Sequence, residues 1–251
     1  MSSSEEVIWH ELECGGYAAD LGLWLELAER QEGPVLDIGA GVGRVALALA
    51  RAGHPVVALD RAPELLEELA RRARSLADRQ PLRGGGPPQL RTVCADARDF
   101  ALAERFALCL VPMQTVQLLG GPAGRSAFFR RAAAHLLPGG LVALAIVERL
   151  EPFELGAGAP APESCEREGR LYRSQPTAVR VGPEQFVLER RREVIGRDGE
   201  RRLQRNVVVL DRVEAATLEA EAARAGLQAR GRREIPPTRE HVGSTVVMLG
   251  A

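Results

Sequence analysis

From Pro34 onward, short apolar runs alternate with amphipathic stretches. Val35–Ile38 and Val56–Leu59 are almost wholly apolar segments of strand length, followed by helically spaced segments at Val42–Ala52 and Glu64–Ala77. After Gly84-Gly85-Gly86-Pro87-Pro88 the alternation resumes with strands at Gln89–Cys94 and Phe106–Val111, a helix about Gly124–Leu136 and a strand at Leu141–Val147. Strands this apolar predict a parallel sheet covered by helices on both faces. Ahead of this block, Leu21, Trp24, Leu25 and Leu27 or Ala28 place a helix within Tyr17–Arg30, with Trp24 in the core, and Gly33-Pro34 ends it.

The pattern changes after Arg149. A stretch rich in Pro, Gly, Ala and Glu runs to Pro162, and Leu171–Val181, Phe186–Ile195 and Arg202–Leu210 then read as antiparallel strands, with Asp198-Gly199 as the hairpin turn between the last two. Val213–Ala225 is predicted helical with Gly226 closing it, and two strands follow near Leu227–Ile235 and Val242–Leu249. These segments divide the chain into an N-terminal helical lid (1–33), an α/β core (34–150), an antiparallel β insert (151–212) and a C-terminal helix with the last two strands of the core (213–251).

Composition narrows the partners. The chain has 251 residues and a formal net charge of -1, and all 33 basic residues are arginine, a coding bias rather than a binding strategy. Such a balance does not advertise nucleic-acid binding, and no apolar run approaches the ~20 residues of a membrane helix. Met1 to Trp9 lacks the basic start and apolar stretch of a secretory signal, so a cytoplasmic location is expected. Cys14, Cys94, Cys109 and Cys165 lie far apart without paired spacing, which argues against a metal site and a disulfide framework. The Arg190-Arg191-Arg192 run, with Arg197, Arg201, Arg202 and Arg205, is diluted by Glu189, Glu193, Asp198 and Glu200, and is expected to form a salt-bridged, solvated hairpin face.

The segment Val35-Leu36-Asp37-Ile38-Gly39-Ala40-Gly41-Val42-Gly43-Arg44 runs from a strand through a glycine-rich turn into a helix, where small residues let backbone approach a ligand closely. A dinucleotide fingerprint would carry its third glycine where Arg44 stands, so the spacing disfavours a nicotinamide cofactor. Asp60 falls at the next strand end, 21 residues after Gly39, where a carboxylate can accept hydrogen bonds from two ribose hydroxyls. Taken singly, the acids have plainer roles: Asp37 as a helix cap, Asp60 as a solvated turn residue, Asp96 as the start of a loop.

Taken in order, the glycine turn, Val56-Val57-Ala58-Leu59-Asp60-Arg61, Val93-Cys94-Ala95-Asp96-Ala97-Arg98-Asp99 and Phe106–Gln114 resemble the motifs of class I S-adenosylmethionine-dependent methyltransferases of the small-molecule type. Leu137-Pro138-Gly139-Gly140 is similar to that family's turn before its fifth strand. The resemblance implies a Rossmann-like, doubly wound seven-stranded sheet, mostly parallel with an antiparallel last strand. It also implies S-adenosylmethionine as cofactor, S-adenosylhomocysteine as product, and a cofactor site at Asp37, Gly39, Ala40, Gly41, Gly43, Asp60, Arg61, Asp96, Ala97 and Val111, with Asp96 and Ala97 on the adenine.

The sulfonium already activates the methyl group, so in-line positioning is the main demand and no covalent enzyme intermediate is needed. For an acceptor that must lose a proton, the residues considered near the methyl are Tyr17, His10, His241 and Gln114. His54, in a turn, and His135, near a helix C-terminus, read as structural. Glu148, following a strand, reads as an exposed loop carboxylate or a base, and Glu13-Cys14-Gly15-Gly16-Tyr17 supplies glycines for closure. The expected partner is a small-molecule methyl acceptor, with no membrane, nucleic acid disfavoured, and a monomer or homodimer. The contrasting readings are a non-catalytic domain that binds the cofactor or its product, and an RNA or protein methyltransferase.

Overall fold

The computed structural model describes residues 3–79, 89–156, 160–238 and 241–251, so the Gly84–Pro88 linker lies outside the described residues. The chain divides into two compact units, one of Ala18–Glu148 with Val213–Ala251, the other of residues through Tyr17 with Arg149–Arg212.

The larger unit holds β1 (Val35–Ile38), β2 (Val56–Asp60), β3 (Leu90–Cys94), β4 (Phe106–Val111) and β5 (Leu136–Ile146), with helices α2 (Leu21–Arg30), α3 (Arg44–Arg51), α4 (Pro63–Arg79), α5 (Gly121–Ala134) and α6 (Ala215–Ala223). With β11 (Gln228–Ile235) and β12 (Ser244–Gly250) the strands form one seven-stranded sheet, ordered β11-β12-β5-β4-β1-β2-β3. Neighbours from β5 to β3 run parallel, while β12 is antiparallel to both β5 and β11. This is the doubly wound α/β sheet expected. The chain leaves β1 toward β2 and β3, then returns to β4 on the other side of β1, which opens a crevice at the carboxyl ends of β1 and β4.

The alternation of β1 explains its place. Leu36 and Ile38 join the core built on Phe128, Phe129 and Ala132 of α5 and Leu218 and Ala222 of α6. Val35 and Asp37 alternate to the opposite face, where Asp37 lies in the field of Arg44 at the start of α3. A guanidinium–carboxylate pair, Arg125 to Glu221, ties α5 to α6 at 2.8 Å on both prongs, with both side chains buried. Gln117 pins the end of β5 by exchanging hydrogen bonds with both backbone groups of Val147. Helix α6 ends where Gly226, at φ 87°, lets Leu227 N–H reach the Ala222 carbonyl at 3.1 Å.

Three local expectations change. The helix placed within Tyr17–Arg30 starts at Leu21, so Tyr17 precedes it. The Pro138-Gly139-Gly140 segment lies within β5 as a bulge: the register jumps from Phe106↔Leu136 to Leu108↔Leu141. A side chain on Gly140 would meet the Leu137 and Phe106 carbonyls at 2.9 and 3.0 Å, which is why backbone alone fits there. Glu148 is a half-buried rather than an exposed loop carboxylate: it accepts from Ala215 N–H at 2.8 Å and the Thr245 hydroxyl at 3.0 Å, capping the start of α6.

In the smaller unit, residues read only as a polar terminus form α1 (Ser3–His10), which passes into a π-helical turn over Glu11–Gly15. A second sheet is built from β6 (Phe153–Glu154), β7 (Glu163–Arg167), β8 (Arg170–Val181), β9 (Gln185–Ile195) and β10 (Arg201–Asp211), all antiparallel. The hairpin between β9 and β10 turns at Asp198-Gly199, where Gly199 has φ 83°. Trp9 packs edge-on against Tyr172 at 5.2 Å, and Arg192 lies 5.3 Å from the Trp9 ring while its guanidinium grips Glu13 at 2.6 and 2.7 Å. Of the other hairpin arginines, Arg205 pairs with Glu189 as the sequence pattern implied, while Arg202 pairs with Glu5 and Arg191 donates to Gln175. Among the described residues no helix is long and apolar enough to cross a membrane.

Removing one partner of a buried ion pair strands the other charge, at a cost of about 3–5 kcal/mol. Glu221→Ala is therefore expected to lower unfolding stability by about that amount in urea titration, with Arg125→Met/Glu221→Leu recovering most of it.

Candidate functional site

The crevice at the carboxyl ends of β1, β2 and β4 is shaped by backbone. Gly39, Gly41 and Gly43 all have positive φ, at 73°, 54° and 89°, so the chain leaves β1 through three left-handed residues before α3 begins. A Cβ on Gly39 would meet Thr115 Cγ2 at 2.5 Å, and one on Gly43 would meet Leu69 of α4 at 2.0 Å. The turn is thus glycine-rich for two reasons, its dihedral angles and the close approach of neighbours.

Asp60 holds this turn from the next strand. Its carboxylate accepts Gly41 N–H at 2.8 Å and Ala62 N–H at 3.0 Å, while its carbonyl accepts Ala95 N–H at 2.9 Å. It is a bridge rather than a solvated turn residue, and each carboxylate oxygen retains a lone pair for a ligand hydroxyl. Arg61 follows, its carbonyl accepting from the Cys94 thiol. Asp96 starts the turn after β3: its side chain takes Arg98 N–H at 2.8 Å and the Arg98 guanidinium at 2.6 and 2.9 Å. The Arg98 guanidinium beside it holds the Asp96 carboxyl down at about 2, so it acts as a pure acceptor, and Ala97 lies between the two.

Asp37 differs from the other acids. It is 1% exposed and neither carboxylate oxygen has a hydrogen-bond partner among the described residues. Burial pushes its carboxyl up to about 7; the Arg44 charge and the nearby Ala46 backbone N–H, which stays outside hydrogen-bond geometry, pull the other way. It caps nothing. Such a buried polar group without a hydrogen-bond partner is an exception among buried polar groups.

The remaining sequence candidates separate by unit. Val111 has its side chain wholly in the core, so only its backbone stands at the end of β4. Gln114 follows Met113, whose φ of 55° is a left-handed conformation uncommon for a residue with a side chain, and Thr115 fixes the bend by donating to the Pro112 carbonyl at 3.0 Å. The His241 N–H donates to Thr238 Oγ1 at 3.0 Å. Tyr17 and His10 belong to the smaller unit, Tyr17 buried and His10 at the end of α1. Trp24 is fully buried in the core, as expected. His135 is structural through hydrogen bonds rather than as a helix-end cation: Nε2 accepts Leu102 N–H at 2.9 Å and Nδ1 faces the Arg131 carbonyl at 2.7 Å.

Sequence reasoning passed over Thr115 and Asp20. Thr115 fills the space over Gly39, and Asp20 takes both Nη atoms of Arg44, the residue that opens α3. The only sequence signal for Asp20 was its place just before a helix.

Residues 35–140 match the family model of the methyltransferase domain. Over that span the chain is similar to a methyltransferase domain. The matched residues contain the glycine turn, Asp60, Asp96 and the β4 end, the same group that the fold gathers at the crevice. Solved structures of similar fold include the CcbJ methyltransferase from Streptomyces caelestis, at 19% identity over 94% of this chain and 91% of that one, TM-score 0.68. CalS10, an amino pentose methyltransferase from Micromonospora echinaspora, aligns at 21% identity over 98% and 96% of the two chains, TM-score 0.67. The sugar N-methyltransferase KedS8 from Streptoalloteichus sp ATCC 53650 aligns at 16% identity over 97% and 91%, TM-score 0.69. Comparison with curated protein sequences returns no match.

Two outcomes follow for this turn. Because the folded Asp37 value lies above the ordinary 3.8, its contribution to stability is full below about pH 4 and is lost as pH rises to about 7, a loss of about 4 kcal/mol. Urea unfolding across that range should show wild type losing more stability than Asp37→Asn, and parallel profiles would remove the assignment. Gly39→Ala should lower stability by about 2 kcal/mol through left-handed strain and the Thr115 clash. Adding Thr115→Ala should restore part of that loss in the same assay.

Proposed function

We propose that this protein is an S-adenosylmethionine-dependent methyltransferase acting on an amine or hydroxyl of a small, sugar-like acceptor. The observation that carries the cofactor assignment is the glycine turn held by the Asp60 carboxylate above the unpaired, buried Asp37. These residues fit the group. When bound, S-adenosylmethionine supplies an electrophilic methyl carbon on a positively charged sulfur. Asp60 binds the ribose hydroxyls through its free lone pairs, with Arg61 next to it. Asp37 offers its unpaired oxygens to a cationic part of the ligand, and Gly39, Ala40, Gly41 and Gly43 bring backbone close enough to exclude water. Asp96 and Ala97 take the adenine edge as acceptor and backbone donor.

The acceptor's nucleophile attacks the methyl carbon as the carbon–sulfur bond breaks, leaving S-adenosylhomocysteine, and its proton passes to a base or to water. Gln114, at the bent end of β4, is assigned to orient the acceptor, and His10, Tyr17 and His241 are the groups to test as its proton acceptor. The sugar class is supported by the amino pentose and sugar N-methyltransferases of similar fold.

Calorimetric titration should give micromolar binding of S-adenosylmethionine and S-adenosylhomocysteine and none of NAD, with Asp60→Ala weakening both sulfur ligands at least tenfold. A panel of amino sugars with methyl-labelled cofactor then reads turnover. Binding without turnover on any acceptor would favour a regulatory domain, and no binding by folded protein would overturn the proposal.

A further inference from the structure

Asp20 stands at the N-cap of α2, a position where an aspartate ordinarily accepts a backbone N–H of the first turn, yet its side chain makes no capping bond. It is fully buried, and its carboxylate instead receives Arg44 Nη1 at 2.5 Å, Arg44 Nη2 at 2.7 Å and the Trp24 indole N–H at 2.7 Å. Arg44 directly follows the glycine turn and is the first residue of α3. A cation there opposes the positive end of the helix and needs a compensating anion.

Two buried carboxylates, Asp20 and Asp37, thus lie within the field of one guanidinium, and the geometry gives both its prongs to Asp20. Asp37 is left with neither oxygen bonded. We propose that Asp20 is a positioning residue of the cofactor site: it captures the Arg44 guanidinium and so leaves Asp37 open to a cation carried by the ligand. Trp24 holds Asp20 in place for this role, and the neighbouring α2 thereby controls a turn whose residues it does not supply. The inference rests on the proposed reading of the glycine turn as an S-adenosylmethionine site.

Loss of the Asp20 charge should send Arg44 to Asp37, pairing the carboxylate oxygens that the proposal assigns to the ligand. The test is calorimetric titration of the full chain with S-adenosylhomocysteine, for wild type, Asp20→Asn, and Asp20→Asn/Arg44→Gln, alongside thermal melting and, once an acceptor is known, its KM. Asp20→Asn should weaken binding at least tenfold while the acceptor KM moves less than twofold. The double variant should return to within about threefold of wild type, because no guanidinium remains to neutralise Asp37. Unchanged binding in Asp20→Asn, or equal loss in single and double variants, overturns the inference while leaving the cofactor reading intact. Absence of binding in wild type overturns both. If Asp20→Asn does not fold, Arg44→Lys serves instead: a single ammonium cannot span both Asp20 oxygens, so weakened binding is again expected and unchanged binding is the overturning result.

Discussion

The hydrogen bond from Gly41 N–H to the Asp60 carboxylate joins the end of β1's turn to the end of β2, and the site is organised around it. The three left-handed glycines give that turn its path, but a glycine segment has many paths open to it, and the loss of that freedom must be offset by contacts. Asp60 supplies one from below, Thr115 covers Gly39 from the β4 side, and Leu69 closes against Gly43. Since each comes from a different element, the turn acquires its shape only when β2, β4 and α4 are in place.

Four aspartates around this turn have four electrostatic fates, set by their partners. Asp60 is spent partly on backbone donors, Asp96 is gripped by Arg98 at the surface, and Asp20 is neutralised by Arg44 in the interior. Asp37 has burial without a partner, the condition under which a carboxyl resists ionisation. A buried polar group of this kind is costly to keep, and a cationic ligand would repair it. The doubly wound sheet supplies the location, since Asp37 is the one polar residue of β1 and its alternation turns it to the face where Arg44 starts α3.

Much of this was legible in order of residues. Apolar runs at β1, β2 and β4 marked parallel strands because such strands are buried on both faces, and the spacing of Gly39, Gly41, Gly43 and Asp60 marked a candidate site because backbone approach demands small residues at fixed offsets. The alternating β8 to β10 segment and its Asp198-Gly199 turn were readable for the same local reason. Less visible were features with weak local signals. The helical N-terminus has a modest apolar pattern and is held by Trp9 against Tyr172 and by Glu13 against Arg192. The Pro138-Gly139-Gly140 bulge needs knowledge of β4's carbonyls, and Glu148 caps a helix that begins 67 residues later.

What the sequence by itself determined is the succession of strands and helices and the residue types at the glycine turn, because hydrophobic period and glycine spacing act over a few residues; the family resemblance implied the doubly wound sheet. What only the tertiary structure decided is the pairing of charges: which of Asp20, Asp37, Asp60 and Asp96 is satisfied and which is left open. Chain order cannot specify that, because electrostatic partners such as Asp20 and Arg44 are chosen by distance and burial in the folded state, across separations that no local pattern encodes.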